Sequence, residues 1–521
     1  MAVRAEAIER EPIAADLPSH VDIVIVGSGF AGLAAAIALA TEGREFVVLE
    51  KASDLGGTWR DNSYPGCECD VPSHLYSFSF APNPDWTQAF SPQEEIYDYL
   101  KRTARDAGIL PRIRFDAEVR SARWDAGQQR WQLETARGPL SANILISGTG
   151  GLSEPAIPNI PGLESFAGTT FHSATWRHDH DLTGKRVAVI GTGASAIQFV
   201  PHVQSAAAHM TLFQRTAPWV LPRRDRSISR LERWIYRHIP GAQRVARSAI
   251  YWSRETWIVG FAMKPDIMRF VEKQALRFLH KQVPDPVLRK KLRPHYRLGC
   301  KRVLMSNTYY PALTQPNVHV ETDPIVEVLP EAIVTADAEG NRVEHPVDTI
   351  IFGTGFHVTD PPVAERVWGR DGRTLREHWS STSMSALHGI AIAGFPNLFF
   401  LVGPNTGLGH TSIVLMIEAQ VRYLVDGLRQ MKRHGVGEIE PRLDVQDLYN
   451  ARLQKDLQKT VWNAGGCASW YLDERGRNTT LWPTFTFMFR KELHRFDPAN
   501  YEARPPHHER SHASQLRGVN A

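Results

Sequence analysis

Two glycine-rich turns in the sequence have the residue types and spacing that bind nucleotide phosphates. The first reads Gly-Ser-Gly-Phe-Ala-Gly over residues 27–32, and the second reads Gly-Thr-Gly-Ala-Ser-Ala over residues 191–196. In such a turn the first glycine permits a tight bend, the second admits a pyrophosphate, and the third small residue lets helix and strand pack closely. The positive end of the following helix then faces the phosphates. The residues predicted to bind cofactor are Gly27, Gly29 and Gly32 in the first turn and Gly191, Thr192, Gly193 and Ser195 in the second.

Side chains at the ends of the next strands distinguish the two cofactors. Glu50 lies 23 residues after Gly27, where a carboxylate accepts hydrogen bonds from ribose hydroxyls. Gln214 stands at the same distance from Gly191, and it is followed by Arg215 and Thr216, which are both predicted to bind the cofactor. A carboxylate would repel a 2′-phosphate, whereas a guanidinium binds it. The first turn therefore suits FAD and the second suits NADP(H); the alternative for Arg215 is an ordinary surface arginine.

The elements that must hold these turns follow one pattern, a strand, a turn, a helix and a second strand. In the first copy, residues 21–26 and 46–50 read as buried strands around an Ala-rich helix at 33–41. The second copy repeats this with strands at 185–190 and 211–214 and a helix that runs to about residue 203. Because each turn follows a strand and opens a helix, it has the context that a nucleotide-binding turn requires. The sequence predicts an α/β fold with two Rossmann-like dinucleotide-binding domains and a helical insert.

The predicted domain organisation is discontinuous. An N-terminal extension covers residues 1–20, the FAD-binding domain 21–160 and 356–500, the NADP-binding domain 161–222 and 298–355, a basic helical insert 223–297, and a disordered tail 501–521. The second part of the FAD-binding domain also carries the predicted substrate-pocket segment. The tail includes His507 and His508, which we expect to be part of an unordered end rather than a metal site; no metal site is predicted.

Composition excludes several classes of protein. The chain has 521 residues and a net charge of +4, which does not indicate a nucleic-acid-binding protein. Four cysteines are too few for a secreted disulfide framework. Cys67 and Cys69 have neither redox nor zinc spacing, and no role is assigned to Cys300 and Cys467. The sequence shows no pattern typical of a signal peptide or an integral membrane segment, so a cytoplasmic protein is expected.

The predicted insert has an unusual charge. Between Arg223 and Arg302 there are 21 Lys and Arg residues and 6 Asp and Glu residues, a local charge of +15. Aromatic residues such as Trp234 and Trp252 are interleaved, and the pattern is helical. The first interpretation is a helical subdomain with a solvated basic face. The alternative is attraction of an anionic cofactor or a membrane surface.

Two further segments resemble the fingerprints of the type I Baeyer–Villiger monooxygenases, flavoproteins of monooxygenase class B. The first is F-x-G-x-x-x-H-x-x-x-W, which is met by Phe166, Gly168, His172 and Trp176. The second is similar at every position to residues 56–59, 64–66 and 70. Arg177 departs from the Pro or Asp that usually follows the first fingerprint. The resemblance covers about residues 21–490.

The resemblance assigns roles to individual residues. The segment at 298–302 is similar to the family stretch with the catalytic arginine, so Arg302 is expected to be catalytic, with Asp70 as its acidic partner and Lys301 as a second ligand of the 2′-phosphate. Trp470 is expected near the substrate pocket, although a buried core tryptophan is an equal alternative. His172 is expected to act conformationally and Trp176 to pack. The other residues expected to bind FAD are Thr58, Trp59, Tyr76 and Val119, together with Asp70.

The implied reaction consumes NADPH and O2. NADPH would reduce FAD, and a C4a-peroxyflavin anion would convert a ketone into an ester or lactone, with Arg302 stabilising the anion. The main alternative is an N- or S-oxygenating flavin monooxygenase, against which Trp176 and the second fingerprint argue. More distant alternatives are an NADPH-dependent disulfide or electron-carrier reductase and a flavin-dependent sensor or membrane-docking protein. The sequence predicts neither which ketone is used nor an oligomeric partner.

Overall fold

The computed structural model describes residues 17–507. Its strands in chain order are β1 (His20–Val26), β2 (Phe46–Leu49), β3 (Ile113–Arg114), β4 (Val119–Asp125), β5 (Arg130–Thr135), β6 (Gly138–Ser147), β7 (Thr169–His172), β8 (Arg186–Ile190), β9 (His209–Phe213), β10 (Val220–Leu221), β11 (Leu304–Met305), β12 (Val318–Glu321), β13 (Ile325–Leu329), β14 (Ala332–Ala336), β15 (Arg342–Pro346), β16 (Thr349–Phe352), β17 (Val367–Trp368), β18 (Leu398–Phe400), β19 (Glu438–Pro441) and β20 (Tyr501–Arg504).

The α-helices of this part of the chain are α1 (Phe30–Thr41), α2 (Thr58–Asp61), α3 (Gln93–Asp106), α4 (Ala194–Ala206), α5 (Arg230–His238), α6 (Ala242–Glu255), α7 (Met268–Gln282), α8 (Pro286–Lys291), α9 (Tyr309–Leu313), α10 (Leu375–Ser380), α11 (Ile413–His434), α12 (Leu443–Leu457), α13 (Val461–Ala464) and α14 (Thr486–Glu492). None of them is both long enough and apolar enough to cross a membrane. The location of the protein in the cell stays a prediction.

The first sheet carries the first glycine turn. Its strand order is β17-β4-β5-β6-β1-β2-β3, and β18 pairs with β6. Strand β1 is parallel to β2 and β6, and its alternate side chains enter two cores. Ile23 and Ile25 pack with α1 and α11, whereas Val24 packs with Trp131 of the antiparallel β4–β6 meander. Burial on both faces explains the continuous apolar run of β1.

The second sheet carries the second glycine turn. It is parallel throughout, in the order β12-β9-β8-β16-β7. An antiparallel sheet of β13, β14 and β15 lies between β12 and β16 in the chain. Both sheets are assembled from separated stretches of sequence, since β17 and β18 of the first sheet follow every strand of the second. The α/β fold is as predicted, while the exact domain boundaries stay a prediction.

The segment from 223 to 297 is helical, as its sequence pattern indicates. It contains α5 to α8, with a π-helical turn at Val259–Met263. Helix α5 begins with a capping box, in which Ser229 and Glu232 satisfy each other's backbone N–H groups. Trp234 and Trp252 are exposed, so the segment presents apolar as well as basic side chains to solvent.

The prediction of a disordered tail from residue 501 is wrong at its start. Strand β20 pairs antiparallel with β19, because Tyr501 is buried and brings the chain back onto the body of the protein. The Tyr501 hydroxyl accepts a hydrogen bond of 3.1 Å from Tyr423 of α11. The tail beyond residue 507, with His508, lies outside the described residues.

Candidate functional site

The first glycine turn is shaped by close backbone contacts. Gly27 has a φ of 96°, and a Cβ atom there would lie 2.8 Å from the carbonyl oxygen of Gly148. A Cβ on Gly32 would lie 1.8 Å from the carbonyl oxygen of Gly27, so α1 can pack on β1 only with glycine at this position. At Gly29 the nearest atom to a Cβ is 3.7 Å away, which leaves space for a phosphate over the start of α1.

Glu50 lies buried at the end of β2 and faces this turn. Its Oε2 accepts hydrogen bonds from the Ser28 backbone N–H at 2.9 Å and the Ser28 hydroxyl at 2.7 Å. Its Oε1 lies 3.0 Å from the Arg60 guanidinium. The carboxylate is therefore fixed beside the phosphate turn, where ribose hydroxyls of a dinucleotide can reach it.

A single cavity joins most of the residues predicted to bind FAD. Gly27, Gly29 and Glu50 line it, and so do the predicted residues Thr58, Trp59, Tyr76 and Val119. The Trp59 indole donates a hydrogen bond of 3.1 Å to the Tyr76 hydroxyl. Asp70, which was also predicted to contact FAD, does not line the cavity within the described chain, because its carboxylate is turned toward Arg302.

The second glycine turn repeats the geometry of the first. Gly191 has a φ of 110°, and a Cβ there would lie 2.4 Å from the carbonyl oxygen of Gly353. The third position of this turn is Ala196 on α4, and its Cβ lies near Gly353, the residue that follows β16. The Thr192 hydroxyl donates a hydrogen bond of 3.0 Å to the Thr216 carbonyl, which ties the turn to the segment after β9.

Two basic side chains near this turn, Arg215 and Lys301, are close enough for their charges to interact. Burial lowers the pKa of Lys301, and the positive charge of Arg215 lowers it further. Such repulsion between neighbouring cations is relieved when an anion binds between them. The preceding Gln214 is buried, and its side-chain N–H donates to the Lys291 carbonyl at 2.9 Å. The pair Arg215 and Lys301 therefore suits a 2′-phosphate.

Arg302 and Asp70 form a bidentate ion pair. Nε of Arg302 lies 2.5 Å from Oδ2 of Asp70, and the guanidinium NH2 lies 2.6 Å from Oδ1. The negative charge of Asp70 raises the pKa of Arg302, which remains a permanent cation. Burial alone would raise the pKa of Asp70, but the Arg302 charge and hydrogen bonds outweigh it and the pKa is lowered. Both side chains are about 30% exposed, so one face of the pair is open.

This ion pair lies next to the first cavity. Tyr76 lines that cavity, and the charges of Asp70 and Arg302 both act on its hydroxyl. On another side lies Arg254, whose pKa is lowered by burial and by Arg302 but raised by Asp70. Arg297, which immediately precedes the 298–302 stretch, instead pairs with Glu272 at 3.4 Å. A fixed cation thus stands between the two nucleotide sites, since Lys301 is its chain neighbour.

A disulfide anchors the stretch that carries Arg302. Cys300 and Cys467, to which no role was assigned from the sequence, are bonded across 167 residues of chain. The bond joins the Lys301–Arg302 stretch to the segment that leads to Trp470. Trp470 is 42% exposed and packs on Tyr471, so the alternative of a buried core tryptophan is wrong. Tyr471 is the buried neighbour, and the Arg302 charge acts on it.

The residues of the first fingerprint lie in and around β7, the edge strand of the second sheet. Burial lowers the pKa of His172 to about 4, so its imidazole is neutral at physiological pH. Its Nδ1 accepts a hydrogen bond of 3.1 Å from the Ala174 N–H, and its Nε2 is buried near Gly355 without a full hydrogen bond in residues 17–507. Trp176 packs against the rings of Phe171 and Phe199. The geometry favours a positioning role for His172 and packing for Trp176.

Glycine is required in this fingerprint for a steric reason. A Cβ on Gly168 would lie 2.3 Å from the Asp348 carbonyl and 2.6 Å from the Phe166 ring. Only glycine at position 168 allows the backbone before β7 to pass this close to the Asp348 carbonyl and the Phe166 ring. Arg177, the departure from the fingerprint, pairs at the surface with Asp179 at 2.7 Å.

The second fingerprint forms the contact between the two nucleotide-binding units. The Tyr64 hydroxyl donates a hydrogen bond of 2.9 Å to the Gln198 side chain on α4. The Gln198 amide donates in turn to the Glu68 carbonyl at 2.9 Å. A Cβ on Gly66 would lie 2.6 Å from the His202 ring, so the chain approaches α4 as closely as glycine allows. This contact sets the distance between the first cavity and the second glycine turn.

Three residues of the site carried no sequence signal strong enough to select them. Ser28 occupies a variable position of the glycine turn, yet it binds Glu50 through two hydrogen bonds. Arg60 follows the second fingerprint and pairs with Glu50. Arg254 is one basic residue among many in the insert, and only the fold brings it to Asp70.

Comparison with known proteins agrees with this site. The family described as "Flavin-binding monooxygenase-like" matches residues 20–231. A Baeyer-Villiger monooxygenase of Streptomyces coelicolor is 53% identical over 489 residues, which are 94% of this chain and 93% of that protein. A Baeyer-Villiger monooxygenase of Pseudomonas aeruginosa is 48% identical over 501 residues, 96% of this chain and 94% of that protein.

Solved structures show the same architecture. A crystal structure of OTEMO in complex with FAD and NADP has a TM-score of 0.82 at 28% identity, covering 93% of this chain and 99% of that one. A closed structure of cyclohexanone monooxygenase also has a TM-score of 0.82, at 26% identity over 94% of this chain and 100% of that one. With the two glycine turns, both fingerprints and the Arg302–Asp70 pair in place, this chain belongs to the Baeyer–Villiger monooxygenase family.

Proposed function

We propose that this protein uses FAD, NADPH and O2 to convert a ketone into an ester or lactone. The observation that carries the proposal is the Arg302–Asp70 ion pair, which lies beside Tyr76 of the first cavity and next in the chain to Lys301 of the second site. In this reaction an oxygen nucleophile attacks the carbonyl carbon of the ketone, and negative charge develops on oxygen. A permanent cation at that place would stabilise this charge.

The residues of the first cavity fit FAD. The turn at Gly27, Gly29 and Gly32 would hold the pyrophosphate, Glu50 would bind the ribose hydroxyls, and Trp59 and Tyr76 would line the rest of the cavity. When bound, FAD supplies hydride acceptance and activation of O2. The polypeptide binds and orients it, while the buried surroundings limit access of water.

The residues of the second site fit NADPH. Gly191 and Gly193 precede α4 and would admit the pyrophosphate, and Arg215 and Lys301 would bind the 2′-phosphate through charge-assisted contacts. His172 is neutral and lies at the end of β7, beside the Gly355 turn of the same sheet. We propose that it holds the nicotinamide side of the cofactor in register with the first cavity and does not transfer a proton.

Arg302 has the central chemical role in this proposal. Its guanidinium would stabilise negative charge on the oxygen that attacks the ketone and then on the former carbonyl oxygen. Asp70 fixes the planar fork through two hydrogen bonds and leaves the outer face open to a substrate. A lysine at this position would keep the charge but lose that two-point orientation.

Two alternatives are less well supported. A disulfide reductase needs a reactive thiolate, but burial raises the pKa of Cys67 to about 12 and also raises that of Cys69. An N- or S-oxygenating enzyme uses an electrophilic oxidant, for which a permanent cation held by Asp70 gives no advantage.

The proposal can be tested with purified, FAD-loaded protein supplied with NADPH, oxygen-18 gas and a panel of cyclic, linear and aryl ketones. We expect one labelled atom in the ring or chain oxygen of an ester. The matched control is an amine and a sulfide offered under the same conditions. An N-oxide or sulfoxide as the only labelled product would place the protein in the alternative class.

A further inference from the structure

A cluster of possible metal ligands is formed by residues that were assigned to neither nucleotide site. Strand β12 presents His319 and Glu321 on one face, since side chains two residues apart on a strand point the same way. Strand β15 of the neighbouring antiparallel sheet brings in His345. One ligand atom from each of the three residues lies within 4.8 Å of the other two.

Two of the three distances between ligand atoms in the cluster are close to those of a tetrahedral site. Nε2 of His319 lies 3.3 Å from Oε2 of Glu321, and Nε2 of His345 lies 3.6 Å from the same oxygen. Zinc bonds to nitrogen and oxygen of about 2.0–2.2 Å at tetrahedral angles place neighbouring ligand atoms about 3.4 Å apart. The side chains therefore need little movement to surround an ion.

The carboxylate is held in the orientation that a ligand needs. Oε1 of Glu321 accepts backbone hydrogen bonds from Thr322 at 2.6 Å and Asp323 at 2.8 Å, which leaves Oε2 facing the histidines. These two hydrogen bonds fix the carboxylate group in place beside the two rings.

The imidazole of His345 is fixed as well. Its ring packs edge-on against Phe213 at 5.3 Å between ring centres. Its Nε2 lies 2.9 Å from the Thr335 hydroxyl, and an ion bound to this nitrogen would replace that hydrogen bond. The His319 side chain is 45% exposed, so solvent reaches the cluster and can supply a fourth ligand.

We propose that His319, Glu321 and His345 form a binding site for a divalent transition-metal ion of the zinc class. Two imidazoles and one carboxylate form a donor set that such ions bind with water in the fourth position. The ion would join the edge strand of the second sheet to the β13–β15 sheet. It would also lie beside Gln214, whose N–H donates to the Glu321 carbonyl at 2.8 Å, one residue before Arg215.

The test measures Zn²⁺ binding by the full-length, untagged protein, by titration against a competing metal indicator. We expect one more tightly bound Zn²⁺ in wild type than in the His319→Ala/His345→Ala double variant. The single variant His319→Ala removes an exposed ring, so it keeps the fold intact, and its affinity should fall by more than the roughly 10–100-fold that loss of an outer-shell partner costs.

The matched control is His209→Ala, an exposed histidine at the start of the neighbouring strand β9, which should bind Zn²⁺ as wild type does. Added Zn²⁺ should raise the Tm of wild type and of His209→Ala but not that of His319→Ala. Equal Zn²⁺ binding by wild type and His319→Ala would overturn the proposal, and the three residues would then be only a hydrogen-bonded cluster. No turnover is measured, so the result is independent of the proposed oxygenation.

Discussion

Replacing Arg302 by alanine should separate reduction of the flavin from oxygenation of the ketone. An oxyanion about 4 Å from a unit positive charge gains about 4 kcal/mol at an effective dielectric constant near 20. Arg302 is about 30% exposed in the free protein, so screening reduces this value. Loss of one oxyanion-stabilising group commonly costs about 10²–10³ in rate, and we expect ester formation to fall by that factor.

The variant should otherwise stay intact. Removal of Arg302 leaves Asp70 with the nearby charges of Arg254 and Arg223, so the carboxylate is not an isolated buried anion. The glycine turn and Glu50 are untouched, and FAD should still bind. Arg302→Lys should recover little of the lost rate, because one of the two hydrogen bonds to Asp70, each worth about 1.5–3 kcal/mol, is given up.

The assay has two parts. Anaerobic mixing with NADPH follows flavin reduction by absorbance, and aerobic turnover compares ester formed, peroxide released and NADPH consumed. We expect reduction to survive in Arg302→Ala and NADPH consumption to yield hydrogen peroxide. Arg297→Ala is the matched control, since this arginine immediately precedes the same stretch but pairs with Glu272. Ester formation by Arg302→Ala at a near wild-type rate would refute the assignment and direct attention to Arg254.

Four further predictions concern cofactors and the disulfide. Arg215→Ala should raise the KM for NADPH more than tenfold and leave that for NADH nearly unchanged, and an equal change for both would show that Arg215 does not contact the 2′-phosphate. Because the pKa of Lys301 is lowered below the usual lysine value of 10.5, the KM for NADPH should rise as alkaline pH removes its charge, and Lys301→Ala should abolish this dependence. Gly32→Ala should give colourless or insoluble protein, because its Cβ would lie 1.8 Å from the Gly27 oxygen; a yellow, active variant would contradict the packing described for α1. Cys467→Ser should raise the ketone KM and speed proteolysis near Trp470 while FAD content stays constant, and unchanged kinetics with unchanged proteolysis would show that the disulfide does not order this segment.

Local patterns were sufficient to predict the nucleotide-binding elements. The apolar run of β1, the glycine turn and Glu50 lie within about one Rossmann unit, so their spacing in the sequence reflects their spacing in the fold. The same holds for β8, Gly191 and Arg215.

Contacts between distant segments could not be predicted from spacing. The partnership of Asp70 with Arg302 came only from resemblance to a family, because 232 residues separate them. Nothing local marks Cys300 and Cys467 as a bonded pair or Arg254 as a neighbour of Asp70. His319 and Glu321 are two residues apart, as side chains on one face of a strand must be. His345 lies 24 residues beyond Glu321, and the sequence does not show that β15 brings it to the other two. Tyr501 was missed because its burial depends on α11, far earlier in the chain.

The return of the chain to the first sheet has a consequence for synthesis on the ribosome. All strands of the second sheet have been made once Phe352 emerges, whereas the first sheet still lacks β17 and β18. Until Phe400 has emerged, the end of β6 near Ser147 has no neighbour on the side where β18 will pair. An unpaired edge of this kind invites association between nascent chains. Premature termination between Phe352 and Phe400 should therefore yield aggregating products, even though the second sheet has every strand it needs.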